Sequence, residues 1–227
     1  MKRAFLLALV IAPLLVLGQQ SETRDVGRFT GIKAGEAIDV YLKKGDKESV
    51  KVVVSKDELR NIITEVVGSS LRIHRKESGF FNSGTDARVY VTYVSLDRIY
   101  ASSAANVFSD GPVKAARLEI QASSAADIEI SVEADNVSLH ASSAGDIILQ
   151  GTSKSLTAEA SSSGDIDAYE VKVESARASA SSGGGIKLSV SGELEAKASS
   201  GGSVRYRGNP ARTNTHASSG GSVKKSN

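Results

Sequence analysis

Ala141-Ser142-Ser143-Ala144-Gly145-Asp146-Ile147 carries the motif Ala-Ser-Ser-x-Gly-Asp-Ile, which sets the spacing of the chain. In variant form it occurs seven times in the C-terminal part of the 227 residues, anchored on Ala101, Ala122, Ala141, Ala160, Ala180, Ala198 and Ala217. Successive anchors are 18 to 21 residues apart. So narrow a period, with few helix signals, marks a stacked solenoid.

Alignment on the alanine exposes further columns. Two residues before it stand Ile99, Ile120, Leu139, Ala158, Ala178, Ala196 and Thr215; six after it stand Val107, Ile128, Ile147, Ile166, Ile186, Val204 and Val223. Alternate residues of a strand share a face, so each repeat reads as strand, tight corner, strand and looser connection. That is one rung of a parallel β-helix. Rungs stack about 4.8 Å apart, which turns each column into a ladder: Ile and Val fill the core, and Ala lets the walls approach. Corner hydroxyls can hydrogen-bond along the stack, and the corner glycine is expected at positive φ. A leucine-rich repeat would need an Asn or Cys ladder that is absent. The expected fold is all-β, a parallel β-helix or β-solenoid of about seven rungs of 18–21 residues over 99–227.

The two-before column shrinks from Ile to Ala to Thr. At about 25 cal/mol per Å² of apolar surface, trading Leu for Ala forfeits a kilocalorie or two per rung. Fraying is expected from about Gly201.

Upstream, 25–98 forms a β-rich N-terminal section that caps or extends the solenoid. Period-two patterning predicts strands at 28–33, 37–43, 49–55, 62–67, 70–75 and 87–94. Lys44-Gly45-Asp46-Lys47 reads as a hairpin turn, Val67-Gly68-Ser69-Ser70 as another, and 56–60 as one helical turn. Phe80 and Phe81 sit together in a Gly-bounded loop. They are candidate partner contacts, since exposed aromatics mark interfaces; the plainer reading is a loop covering the open end of the stack.

Residues 1–18 read as a signal peptide: Lys2 and Arg3 precede an apolar run too short to span a bilayer. With no cysteine in the sequence, a lipoprotein thioether is not expected and stability must come without disulfides. The expected location is periplasmic, secreted or cell-surface, with no transmembrane anchor. The 28 basic and 26 acidic residues include Lys2 and Arg3, so the exported chain is electrically balanced. Nucleic-acid binding, which calls for a basic excess, is not expected.

One column suggests chemistry: Asn106, Asp127, Asp146, Asp165, Gly185, Ser203 and Ser222. Stacked carboxylates disfavour full ionisation, and Ca²⁺ with hard oxygen ligands would relieve Asp127, Asp146 and Asp165. Alternatively each aspartate closes its own turn. Gly and Ser in later rungs favour the turn, so no metal is expected. A polysaccharide lyase or hydrolase would need paired carboxylates, or an acid beside a base, along a groove. The chain has no Trp, and Asp165, Asp167 and Glu170 make only a small acidic group. His74 stands alone. His140 and His216 share an outward column but lie four rungs, ~19 Å, apart, too far for one metal. No serine is distinguished by a neighbouring base. Catalytic residues and cofactors are not expected.

Phe29-Thr30-Gly31-Ile32, then Ile38-Asp39-Val40-Tyr41-Leu42, then the Ala-Ser-Ser-x-Gly-Asp-Ile repeats, resemble a bacterial family common in Bacteroidetes: the putative auto-transporter adhesin, head GIN domain. The resemblance covers 29–223. It implies an exported β-solenoid and an adhesin-type role, although Lys33 follows Gly31-Ile32 where the family's name suggests Asn. Nothing in the sequence reads as an outer-membrane barrel, so self-transport is not expected. The reading is therefore an exported, non-enzymatic β-solenoid that acts as a cell-envelope binding, adhesin-like or scaffold module toward a glycan or protein partner. The alternatives are a carbohydrate-active β-helix enzyme, a calcium-binding structural solenoid, and a homo-oligomer joined through solenoid ends.

Overall fold

The computed structural model describes residues 20–55, 59–76 and 86–226. The expected signal peptide and the Phe80-Phe81 loop lie outside the described residues. Five long strands make the body: β9 (Asn106–Ser123), β10 (Asp127–Ser142), β11 (Asp146–Ala160), β12 (Asp165–Ala180) and β13 (Gly185–Ala198). Each carries two runs of alternation. In β10, Ile128, Ile130 and Val132 are buried; beyond a bend, Val137, Leu139 and Ala141 are. The first half of every long strand lies in one layer, sheet one, and the second half in the facing layer, sheet two. Strands stack parallel and in register, Ile128 on Ile147 and Leu139 on Ala158. The stretch read as a looser connection is itself paired, Ala134 against Ser153. The stack continues through β14 (Ser203–Arg207), β15 (Arg212–Ala217) and β16 (Ser222–Lys225). The result is a parallel β-solenoid of about seven turns.

The N-terminal section extends the same stack and then caps it. Its strands are β1 (Gln20–Arg24), β2 (Gly31–Ala34), β3 (Asp39–Lys44), β4 (Ser49–Val54), β5 (Ile62–Val67), β6 (Ser70–Arg75), β7 (Ala87–Tyr93) and β8 (Arg98–Ala101). A short 3₁₀ turn, Leu59–Asn61, precedes β5. β2 lies parallel on β8 and β3 on β9, so Ala34-Gly35-Glu36-Ala37-Ile38-Asp39 is a divergent copy of the corner. β6 stacks on β2 and β7 on β3, giving one more parallel layer. Antiparallel β4 on β7, β5 on β6, and β1 on β4 then close that end. One apolar core runs from Phe29 to Val204. It tapers: the column Ile32, Ile99, Ile120, Leu139 gives way to Ala158, Ala178 and Ala196, and then to Thr215. β15 is exposed throughout.

Two local expectations are corrected. Lys44-Gly45-Asp46-Lys47 does not close a hairpin, because β7 lies between β3 and β4 and the Gly45 N–H donates to the Tyr93 carbonyl at 2.9 Å. Val67-Gly68-Ser69-Ser70 does close one, with Val67 opposite Ser70.

The second correction concerns the corner. The Gly145 N–H donates to the Ser142 carbonyl at 2.9 Å, while Ser143 (φ 51°) and Ala144 (φ 58°) are both left-handed. This is a type I′ turn, and in this corner its strained positions are Ser and Ala, with glycine after them. In the later corners Gly183, Gly201 and Gly220 take the second left-handed position at φ 76°, as expected. Gly145 is glycine for lack of room: a Cβ there would stand 2.6 Å from the carbonyl carbon of Ala122 in the rung before. The ladder along the corner is made by backbone. The Ala144 N–H donates to the Ser162 carbonyl at 3.2 Å and the Asp146 N–H to the Ala126 carbonyl at 2.9 Å. Among the described residues no corner serine hydroxyl bonds another.

Candidate functional site

The two outer faces of the solenoid differ in what their side chains do with one another. On sheet one, the first outward position after each corner holds Asp39, Asn106, Asp127, Asp146, Asp165, Gly185, Ser203 and Ser222 in register. Asp39, with Arg88 beyond it in register, was not read as part of the column; its carboxylate accepts from Asn106 Nδ2 at 2.8 Å. Below Asn106 the three aspartates repel. Partial burial, and then the charges of Asp127 and Asp165, push the Asp146 carboxyl above the ordinary range; the backbone N–H of Asp165 opposes this. The stacked carboxylates do not close around a metal-sized space: among the described residues no three Asp, Glu or His side chains could hold one ion.

Two residues further along each strand, a second outward column contains Tyr90, Tyr41, Phe108, Glu129, Ile148, Asp167, Lys187, Arg205 and Lys224. Its head is an aromatic ladder. Tyr41 stacks on Tyr90 at 5.1 Å and 19°, and on Phe108 at 5.3 Å and 24°. Ring faces therefore cover one another, and the ladder offers solvent its edges and two phenol hydroxyls. Tyr90 remains 43% exposed and Ile148 52%. The three rings come from β7, β3 and β9, distant in sequence, which is why the sequence reading missed them. Alignment of the divergent corner at Ala34 with Ala101 would have placed Tyr41 and Phe108 at the same offset.

On sheet two, outward charges satisfy each other across rungs and along a strand. Glu195 is held by Arg177 and Lys197, both at 2.9 Å, which keep its carboxyl below the ordinary range. Arg212 pairs Glu193 at 3.1 Å and His140 meets Glu159 at 3.3 Å. Tyr100 donates to Glu119 at 2.7 Å, and burial with that carboxylate pushes its phenol up to about 12. His140 and His216 occupy one column with Glu159, Ser179 and Lys197 between them, as the period requires.

A concavity of about 970 Å³ runs along the bend between the two halves of the long strands, lined by Ala115, Ala134, Ser153 and Val173. Two of its three acids are paired, Glu133 with Lys114 at 2.6 Å and Asp135 with Lys154 at 2.7 Å, while Glu174 lines it without an ion pair among the described residues. Asp167 accepts from Lys187 at 3.0 Å, which draws it away from the acidic group read with Asp165 and Glu170.

Comparisons place this architecture among known proteins. A family model described as "Putative auto-transporter adhesin, head GIN domain" matches residues 28–210. A crystal structure of a putative adhesin from Bacteroides fragilis superposes with a TM-score of 0.85 at 17% identity, covering 92% of this chain and 97% of that one. A putative adhesin from Parabacteroides merdae gives 0.70 at 17% identity, covering 92% and 96%. A protein from Parabacteroides distasonis described as a putative lipid binding protein gives 0.66 at 19% identity, covering 92% and 97%. At these identities the likeness is one of fold. No curated protein matches the chain.

Proposed function

The chain belongs to the putative auto-transporter adhesin, head GIN domain family, and from that premise we propose an exported, non-enzymatic, adhesin-like module whose contact surface is the outer face of sheet one. The observation that carries this reading is the contrast between the faces. Sheet two's outward charges are taken up by one another, whereas the head of sheet one presents the Tyr90–Tyr41–Phe108 ladder beside Asp39 and Asn106. Aromatic edges with phenol hydroxyls next to amide and carboxylate acceptors suit the hydroxyl-rich surface of an envelope glycan. Phe80 and Phe81, on the segment joining β6 to β7, are proposed as further contacts.

In the groove Glu133 and Asp135 are each tied to a lysine, which leaves Glu174 as the one lining acid outside an ion pair among the described residues. A retaining or inverting glycosidase pair needs one free acid and one free carboxylate facing each other.

The test is a glycan array together with envelope extracts, probed with wild type, Tyr41→Ser/Tyr90→Ser and Phe80→Ser/Phe81→Ser. The reading expects retention on one glycan class and its loss in the first variant. Retention that survives both variants, or release of a chromogenic polysaccharide product, overturns it.

A further inference from the structure

Below the aromatic ladder, sheet one's outer face divides by charge. Asp127, Glu129, Asp146, Asp165 and Asp167 occupy three successive rungs, and Lys187, Arg205 and Lys224 occupy the next three in the same central column. No Asp or Glu follows Glu195 in the sequence, while Lys197, Arg205, Arg207, Arg212, Lys224 and Lys225 do. Asp167 and Lys187 pair at the boundary. Glu129, Ile148, Arg205 and Lys224 are exposed.

A charge-divided face of this kind is complementary to itself when inverted. We propose that two copies of the chain pair through sheet one, face to face, with their stacks antiparallel and the two-fold axis along the strands between Asp167 and Lys187. An isologous contact requires that if one residue meets another, the reverse pair also forms. Inversion about that boundary sets Glu129 opposite the partner's Lys224, Ile148 opposite the partner's Arg205, and Asp167 opposite the partner's Lys187. The first column follows: Asp165 falls opposite the partner's Gly185, beside a concavity of about 480 Å³ lined by Asp146, Lys187 and Arg205. Parallel stacking would instead set acid on acid and base on base. Six rungs at ~4.8 Å by five residues at ~3.3 Å make a patch on the order of 500 Å² per partner. A total near ~1,000 Å² belongs to the weak, transient class. The aromatic ladders lie outside the overlap, at opposite ends of the pair, and stay open to a ligand.

The experiment is sedimentation velocity across a concentration series at about 50 mM and about 500 mM salt, where screening falls from long to short range. The dimer is expected at low salt, its dissociation constant rising at least ~10-fold at high salt. Arg205→Glu/Lys224→Glu and Glu129→Lys/Asp146→Lys are each expected to be monomeric, and an equimolar mixture of the two to recover dimer. Thermal melts check that both variants fold. A monomer under all conditions overturns the proposal. So does a dimer that both variants retain, and so does a mixture of folded variants that stays monomeric.

Discussion

Gly145 packs against the backbone of Ala122 one rung earlier, so closely that a Cβ would stand 2.6 Å from the Ala122 carbonyl carbon. Beside it Ala144, with φ of 58°, has the conformation that glycine would relieve. Neighbouring residues of one corner thus respond oppositely to the same chemical exchange. Gly145→Ala forces overpacking against backbone and should cost roughly 1–3 kcal/mol. Ala144→Gly trades left-handed strain for unfolded-state entropy and should gain up to about 1 kcal/mol. Chemical denaturation of the two variants measures both; the same sign for both would refute this account of the corner.

The Asp146 column gives a pH dependence. Its carboxyl is raised in the folded state, so the folded chain holds that proton more tightly than the unfolded chain. The associated stability is fully present below the unfolded value near 3.8 and is lost as pH rises through the folded value. Asp146→Asn should therefore stabilise the chain at neutral pH, by roughly 0.2–1 kcal/mol after allowance for solvent screening. The gain should vanish toward pH 3. Melting curves of both proteins across pH 3–7 decide it, and a pH-independent difference would count against like-charge stacking as the cause.

Amide protection should follow the taper of the core. Ile and Leu rungs from β8 through β11 should exchange most slowly, and β15 and β16 fastest, because Val204 is the last core residue fully covered. Uniform protection from Val107 through Val223 in hydrogen-exchange mass spectrometry would contradict the expected fraying.

Of the six tyrosines, Tyr100 should ionise late, near pH 12, with Glu119 as one cause. Glu119→Gln removes the charge and should bring its titration earlier by ultraviolet difference spectroscopy. An unchanged curve would leave burial as the whole cause.

The solenoid was legible because every repeat rewrites the same constraint: Ala at the corner, Ile or Val six residues on, and a small residue where walls meet. Register followed from the period alone, and the structure extends the same columns upstream to Ile32 and Val40. What escaped was whatever the period does not carry. The corner at Ala34 has Gly35 and Glu36 in place of serines, so the rung of β2 and β3 read as separate strands. Turn chemistry at Gly45-Asp46 is local and has no information about β7 arriving from much later in the chain. The aromatic ladder is non-local for the same reason. The expected positive φ holds at Gly183, Gly201 and Gly220, whereas the constraint at Gly145 and Gly164 is distance to a neighbouring rung, a quantity that exists only in the stack.

The central claim is that one face of the solenoid makes contact and the other does not. Binding of the purified protein to immobilised envelope material should be measured for Tyr41→Ser/Tyr90→Ser on sheet one and for Arg177→Ser/Glu195→Ser on sheet two, with melting curves for both. The account predicts a loss of at least ~10-fold for the first pair, as for truncated aromatic anchors, and a change within ~2-fold for the second, whose exposed ion pairs contribute little. Equal losses, or a loss confined to the sheet-two pair, would contradict it.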